Sequence, residues 1–115
     1  VLVIATPGGP GTRHLVDADI LQALGERGWL VNIARGSVVD TAALAQALRT
    51  HAIAGAGLDV YESEPAPPAE LIGLSNVVLT PHVAGWSPEA VQNSVDRFIA
   101  NATRHFAGQP MVSPI

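Results

Sequence analysis

The 115-residue sequence contains no cysteine, which excludes structural disulfides, thiolate metal sites and cysteine nucleophiles. Only 14% of the residues are charged, the net charge is −4, and the six Lys and Arg residues form no cluster. That distribution argues against nucleic acid or an anionic membrane as a partner. No apolar run reaches the roughly 20 residues of a membrane span. We therefore expect a globular protein of the cytoplasm, a compartment compatible with the lack of cysteine.

The residues that are present, 48% of them hydrophobic, form alternating strand-like and helix-like segments. Asp17 and Asp40 are candidate N-caps of two helices, and Gly28 is a candidate stop for the first. Four short apolar runs predict strands, at residues 1–5, 29–33, 53–60 and 76–81, of which the first is expected to be buried on both faces and the second to be buried. Strands that alternate with helices predict a parallel, doubly wound α/β sheet with right-handed crossovers.

The last predicted helix differs from the others in length. Ser87 and Pro88 are suited to its N-cap and first position, and an apolar stripe continues to Gly108. A helix of about 30 Å is longer than an ordinary crossover and suggests a spine leading to another domain. The chain also opens inside a strand-like run, so we expect the sequence to be the C-terminal piece of a longer protein.

Polar side chains follow each of the predicted strands. Arg35 follows the second strand, Asp59 and Glu64 follow the third, and His82 follows the fourth. In open α/β sheets, ligands bind outside the carboxyl ends of the strands. An arginine fork suits a carboxylate, and a histidine beside an acidic group can move a proton near neutral pH. These side chains suit the binding and reduction of a 2-oxo acid. A cofactor would have to supply the hydride, because no side chain can.

Three segments, "NIARGSVVD", "GAGLDVYESEP" and "VVLTPHVAG", resemble the signature segments of the D-isomer-specific 2-hydroxyacid dehydrogenases. The resemblance extends from Val1 to Pro114. The stretches "LIGLSNVVLTPHV" and "HFAGQPMVSPI" are most similar to the glyoxylate/hydroxypyruvate and hydroxyphenylpyruvate reductases. The resemblance implies the C-terminal part of a Rossmann-like nucleotide-binding domain at 1–86 and an interdomain helix at 87–108. An extended tail at 109–115 would lead toward a substrate domain.

The same resemblance implies roles for individual residues. The catalytic set would be Arg35, Glu64 and His82. The cofactor would be lined by Thr6, Pro7, Ile33, Ala34, Arg35, Asp59, His82 and Gly85. No metal is implied. Glu62 competes with Glu64 and is expected to be solvated, Asp59 could cap a turn instead, and His14, His51 and His105 are expected to be surface residues. Trp86 could lie at the substrate mouth or in an interdomain core.

The phosphate-binding half of the family's cofactor site is absent from the sequence. No G-x-G-x-x-G loop is present, and "PGGPG" at 7–11 is not one. The resemblance implies NAD or NADP as the cofactor, with NADP slightly favoured. It also implies a small 2-oxo or 2-hydroxy acid as the substrate and a homodimer for the full-length protein. A nicotinamide-sensing corepressor is the alternative function. Two further alternatives are less favoured, a fragment with only a structural role and a formate dehydrogenase. The resemblance disfavours formate dehydrogenase because that branch of the family has no acidic residue at the position of Glu64.

Overall fold

A computed structural model describes residues 1–113, so Pro114 and Ile115 of the expected tail lie outside the described residues. The chain divides into two compact units, residues 1–82 and the part from residue 83 onwards. The first unit contains, in chain order, β1 Leu2–Ile4, α1 Ala18–Leu24, β2 Trp29–Asn32, α2 Thr41–Arg49, β3 Gly55–Leu58 and β4 Val77–Leu79. Short 3₁₀ turns at Pro10–Thr12 and Gly36–Val38 follow the first two strands.

The strands form one parallel sheet in the order β1-β2-β3-β4. The prediction of a parallel α/β sheet is therefore confirmed. Because parallel strands run in one direction, their carboxyl ends meet at a single edge. This edge receives every polar side chain that the sequence placed after a strand.

The core lies between this sheet and the two helices. Leu30 of β2 packs in one cluster with Leu21 of α1 and with Leu44 and Leu48 of α2, and all four are fully buried. The prediction that the first strand is buried on both faces is wrong, and the second strand is exposed on one face. Val3, Trp29 and Val78 are 55%, 48% and 66% exposed. They alternate with the buried positions, because both helices cover the same face of the sheet.

The two helices begin where the sequence predicts. Asp17 accepts hydrogen bonds from the amides of Asp19 and Ile20 at 3.1 Å, and Asp40 accepts one from Ala43 at 3.0 Å. The predicted stop of α1 at Gly28 is wrong. The helix ends at Leu24, because Gly25 comes first and adopts a positive φ of 76° that glycine tolerates.

The second unit is built on α3, Pro88–Phe106, with Ser87 as N-cap and Pro88 in the first position, as predicted. The helix ends two residues before Gly108, whose φ of 68° terminates it. The tail folds back along α3, since the side-chain oxygen of Asn101 accepts a hydrogen bond from the Val112 amide at 2.8 Å. Within residues 1–113, no helix combines the length and the apolar character that a membrane crossing requires.

Candidate active site

Glu64 and His82 form the central contact at the carboxyl edge of the sheet. Nδ1 of His82 lies 3.0 Å from Oε2 of Glu64, with both side chains partly exposed. The loop after β3 supplies the glutamate and the turn after β4 supplies the histidine, and these strands are neighbours in the sheet. The structure brings together the two residues that the sequence paired.

The carboxylate of Glu64 is held at both oxygens. Oε1 accepts a hydrogen bond from the backbone amide of Tyr61 at 2.7 Å, while Oε2 contacts His82. Burial and the nearby Asp59 act to raise the pKa of Glu64, but the Tyr61 and His82 hydrogen bonds and the His82 charge outweigh them. The net effect is a pKa below the ordinary value of 4.5. Glu64 is therefore a carboxylate at neutral pH.

His82 occupies an unusual backbone conformation. Its φ of 56° lies in the left-handed region, which only a few per cent of residues other than glycine adopt, with asparagine, aspartate and histidine enriched among them. The chain turns sharply after β4, and the His82 amide donates to the carbonyl of Thr80 at 3.1 Å. Such conformations cost about 1–3 kcal/mol and concentrate at functional sites. The turn directs the histidine back toward the loop that carries Glu64.

The loop that carries Arg35 is fixed by a buried asparagine. Asn32, 1% exposed, accepts a hydrogen bond from the Ala34 amide and donates one to the carbonyl of Arg35, both at 3.0 Å. The sequence interpretation assigned no role to this residue. The available signal was a polar residue at the end of an apolar strand, which must find partners when buried.

Arg35 itself lies between two clefts. The first, about 490 Å³, contains five predicted cofactor residues, and its walls are Ala5, Thr6, Pro7, Gly8, Ile33, Ala34 and Arg35. The second, about 470 Å³, brings Arg35 to the same space as Glu64. The guanidinium donates to the carbonyl of Ala34 at 2.6 Å, so its remaining donors are available to a carboxylate in either cleft.

A third cleft of about 490 Å³ contains His82. Tyr61 and Glu64 line it and also line the Arg35 cleft. Glu64 is therefore the common wall between the space beside the arginine and the space beside the histidine. The guanidinium of Arg35 and the imidazole of His82 thus border two neighbouring clefts that share this wall.

Two charged residues at the surface form contacts that the sequence did not predict. Glu62 is exposed, as expected, but its Oε2 accepts hydrogen bonds from the amide and hydroxyl of Thr41 at 3.0 and 2.8 Å. His14 has a partly exposed side chain, and its Nε2 lies 2.7 Å from Oε1 of Glu62. Burial acts to raise the pKa of Glu62, but the His14 and Thr41 bonds hold it below 4.5. Glu62 thus stabilises the start of α2, and Glu64 alone of the two contacts His82.

The remaining predicted positions are Asp59, Gly85 and Trp86. Asp59 is buried, and its Oδ1 accepts a hydrogen bond from the Thr80 hydroxyl at 2.5 Å, joining the ends of β3 and β4. Its role toward a cofactor stays a prediction. Gly85 and Trp86 belong to the second unit, and their predicted roles also stay untested. Among residues 1–113, no group of three or more histidine or acidic side chains could hold a metal.

Comparison with known proteins places these features in a family. The family model described as "D-isomer specific 2-hydroxyacid dehydrogenase, NAD binding domain" matches residues 1–84. Hydroxyphenylpyruvate reductase from Plectranthus scutellarioides is 43% identical over 115 residues, all of this chain and 37% of that protein. The chain therefore spans little more than a third of the curated relatives that it matches.

Solved structures agree with this result. An NADPH-dependent glyoxylate/hydroxypyruvate reductase from Sinorhizobium meliloti, in complex with NADP and malonate, has a TM-score of 0.89 and 43% identity. The match covers 99% of this chain and 36% of that one. D-lactate dehydrogenase with NAD⁺ from Lactobacillus jensenii has a TM-score of 0.88 and 28% identity, covering 98% of this chain and 38% of that one. The expected cofactor, NAD or NADP, agrees with these descriptions, and the chain belongs to the D-isomer specific 2-hydroxyacid dehydrogenase family.

Proposed function

We propose that the full-length protein reduces a small 2-oxo acid, glyoxylate or hydroxypyruvate, to the D-2-hydroxy acid with NADPH or NADH. The observation that carries the proposal is the Glu64–His82 contact at the sheet edge that also presents Arg35. The similarity to a glyoxylate/hydroxypyruvate reductase and to a hydroxyphenylpyruvate reductase supports the substrate class. Neither observation separates glyoxylate from hydroxypyruvate, so both belong in the assay.

Arg35, Glu64 and His82 have different roles in the proposed reaction. Arg35 pairs its planar fork with the substrate carboxylate, and its charge polarises the adjacent carbonyl. Glu64 occupies Nδ1 of His82, so Nε2 is the nitrogen that gives a proton to the carbonyl oxygen. A reduced nicotinamide supplies the hydride, which no side chain can provide. The contact with Glu64 also orients the imidazole ring of His82 for this proton transfer.

The described residues fit the nicotinamide half of the cofactor. The cleft between the ends of β1 and β2 has the apolar surfaces of Pro7 and the half-exposed Ile33 on its walls, which suit a flat ring. Gly8 adds no side chain there, and a Cβ at this position would lie 2.7 Å from Cγ of Arg35. The sequence contains no phosphate-binding glycine loop, so the chain's own residues account only for the nicotinamide end.

The experiment is an assay of the full-length protein with glyoxylate, hydroxypyruvate and hydroxyphenylpyruvate, each with NADPH and with NADH. We expect oxidation of the cofactor and formation of the D-hydroxy acid with at least one pair. Tight cofactor binding without turnover of any 2-oxo acid would instead support a regulatory, corepressor-like protein. Light scattering of the same sample tests the proposed homodimer.

A further inference from the structure

We propose that Tyr61 is a positioning residue, which holds Glu64 and His82 in their paired geometry through the carbonyl of Thr80. The inference deepens the proposed reductase function and rests on it for its kinetic test. Tyr61 lies between Asp59 and Glu64 in the loop after β3. None of the sequence motifs assigns it a role.

The backbone of Tyr61 acts on the glutamate. Its amide donates to Oε1 of Glu64 at 2.7 Å, which leaves Oε2 for Nδ1 of His82 at 3.0 Å. Hydrogen bonds to a carboxylate are stronger than those between neutral groups. The amide therefore limits the rotation of the carboxylate and presents a defined oxygen to the histidine.

The side chain of Tyr61 acts on the histidine. Its hydroxyl donates to the carbonyl of Thr80, with the carbonyl of Leu58 as a more distant neighbour at 3.3 Å. The Thr80 carbonyl also accepts the backbone amide of His82 at 3.1 Å. One oxygen thus receives the tyrosine hydroxyl and the histidine backbone, so a single residue is joined to both members of the pair.

The turn that carries His82 needs such support. Its φ of 56° lies in the left-handed region, which costs about 1–3 kcal/mol for a residue other than glycine, and Pro81 has no amide proton with which to fix the turn. The Thr80 carbonyl is itself fixed from the other side, because the Thr80 hydroxyl donates to the buried Asp59. A bond from Tyr61 to this carbonyl therefore holds a strained turn in one place.

The hydroxyl keeps its proton under working conditions. Burial, followed by the negative charges of Asp59 and Glu64, raises the pKa of Tyr61 above 10, and the bond to Thr80 opposes this only in part. Tyr61 consequently stays a hydrogen-bond donor throughout the pH range in which the reductase would work. The ring also packs against the core, so a test must remove the hydroxyl and leave the ring.

Tyr61→Phe in the full-length protein is that test. The matched control is Thr50→Val, which removes another hydroxyl-to-carbonyl hydrogen bond, from Thr50 to Gln46 at 2.9 Å. Thr50 lines none of the three clefts beside Arg35, Glu64 and His82. We expect Tyr61→Phe to lower kcat about 3- to 10-fold, the worth of one net hydrogen bond, with KM for NADPH unchanged within twofold. Thr50→Val should leave kcat unchanged.

A double-mutant cycle separates positioning from general destabilisation. If Tyr61 acts through the pair, its substitution should have little further effect on kcat in a Glu64→Ala protein, because the contact whose geometry it maintains is already lost. Equal effects of Tyr61→Phe in both backgrounds, or no effect in the wild-type background, would overturn the proposal.

A spectroscopic measurement keeps the inference independent of turnover. The ring resonances of His82 in NMR spectra of the full-length protein should change in Tyr61→Phe and stay unchanged in Thr50→Val. If the wild-type protein reduces no 2-oxo acid, the proposed function fails, yet this change would still support positioning by Tyr61. Unchanged His82 resonances in Tyr61→Phe would refute positioning whatever the activity.

Discussion

Nδ1 of His82 and Oε2 of Glu64 lie 3.0 Å apart, although 18 residues separate them in the chain. The contact forms because β3 and β4 are adjacent parallel strands whose following loops leave the same edge of the sheet. A carboxylate fixed on one ring nitrogen determines which nitrogen faces the substrate.

Replacing His82 by asparagine should lower kcat by roughly 10²–10⁴, the usual contribution of a general acid. Asparagine tolerates a left-handed backbone, so the turn is preserved. His51→Asn is the matched control, because His51 has a φ of 55° and lies outside the clefts. Steady-state kinetics of both variants provide the measurement, and equal losses in the two would remove His82 from the mechanism.

Glu64→Gln should change the pH profile of reduction. In the wild type, protonation of Glu64 below its lowered pKa should end the charged hydrogen bond to His82 and reduce kcat/KM, and this acid-side fall should be missing in the variant. The pKa of Glu64 lies below 4.5, so the wild-type carboxylate stays charged and causes no loss of activity from pH 7 to pH 5. The exposed Glu26→Gln is the control. An acid-side fall that is the same in the wild type and in Glu64→Gln would show that the pair is not coupled.

Arg35→Lys should lower kcat/KM more than tenfold, because a lysine keeps the charge but cannot pair with a carboxylate through two parallel hydrogen bonds. Arg49→Lys serves as the control, since Arg49 donates only to the carbonyl of Glu70 on the surface. Kinetics with glyoxylate and hydroxypyruvate test the prediction. A change below about threefold, less than ~1 kcal/mol, is incompatible with the assigned role.

Glu62→Gln should destabilise the start of α2 without directly affecting the Glu64–His82 contact. A lowered pKa means that the Glu62 carboxylate stabilises the fold above its unfolded value of about 4.5, and that this contribution is lost as pH falls through the lower folded value. Amide exchange in the first turn of α2 should report a loss of about 1–2 kcal/mol at pH 7. The gap to wild type should close only below pH 4.5. A gap that is independent of pH contradicts the assignment.

Gly36→Ala should disturb the site through the backbone. A Cβ on Gly36 would lie 2.0 Å from the carbonyl carbon of Tyr61 and 2.1 Å from its oxygen, so one of the two loops must move. Overpacking of this kind costs about 1–3 kcal/mol, and kcat should fall with it. Gly57→Ala is the control, because nothing lies within 4 Å of its Cβ. Thermal unfolding and kinetics that are the same for both variants would disprove the contact.

The sequence predicts the parallel sheet and the residues at its edge, because strand runs, helix caps and polar residues after strands are local patterns. It does not predict which sheet face is covered, since an apolar run such as Val1–Ala5 fits one or two buried faces. The Glu62–His14 contact was missed because its partners are 48 residues apart and look like charged surface residues. The role proposed for Tyr61 was not predicted, because it depends on the carbonyl that the tyrosine hydroxyl reaches. Only the folded turn after β4 determines that contact.

The close approach of Gly36 to Tyr61 has a consequence for protein engineering. The loop that carries Arg35 and the loop that carries Glu64 are in contact where Gly36 meets the backbone of Tyr61. Even a methyl group would not fit between them. Neither loop can be transplanted from a relative by itself if the donor's partner loop follows a different path. Chimeras intended to change substrate preference should exchange residues 32–38 and 59–66 together, as one recombination block.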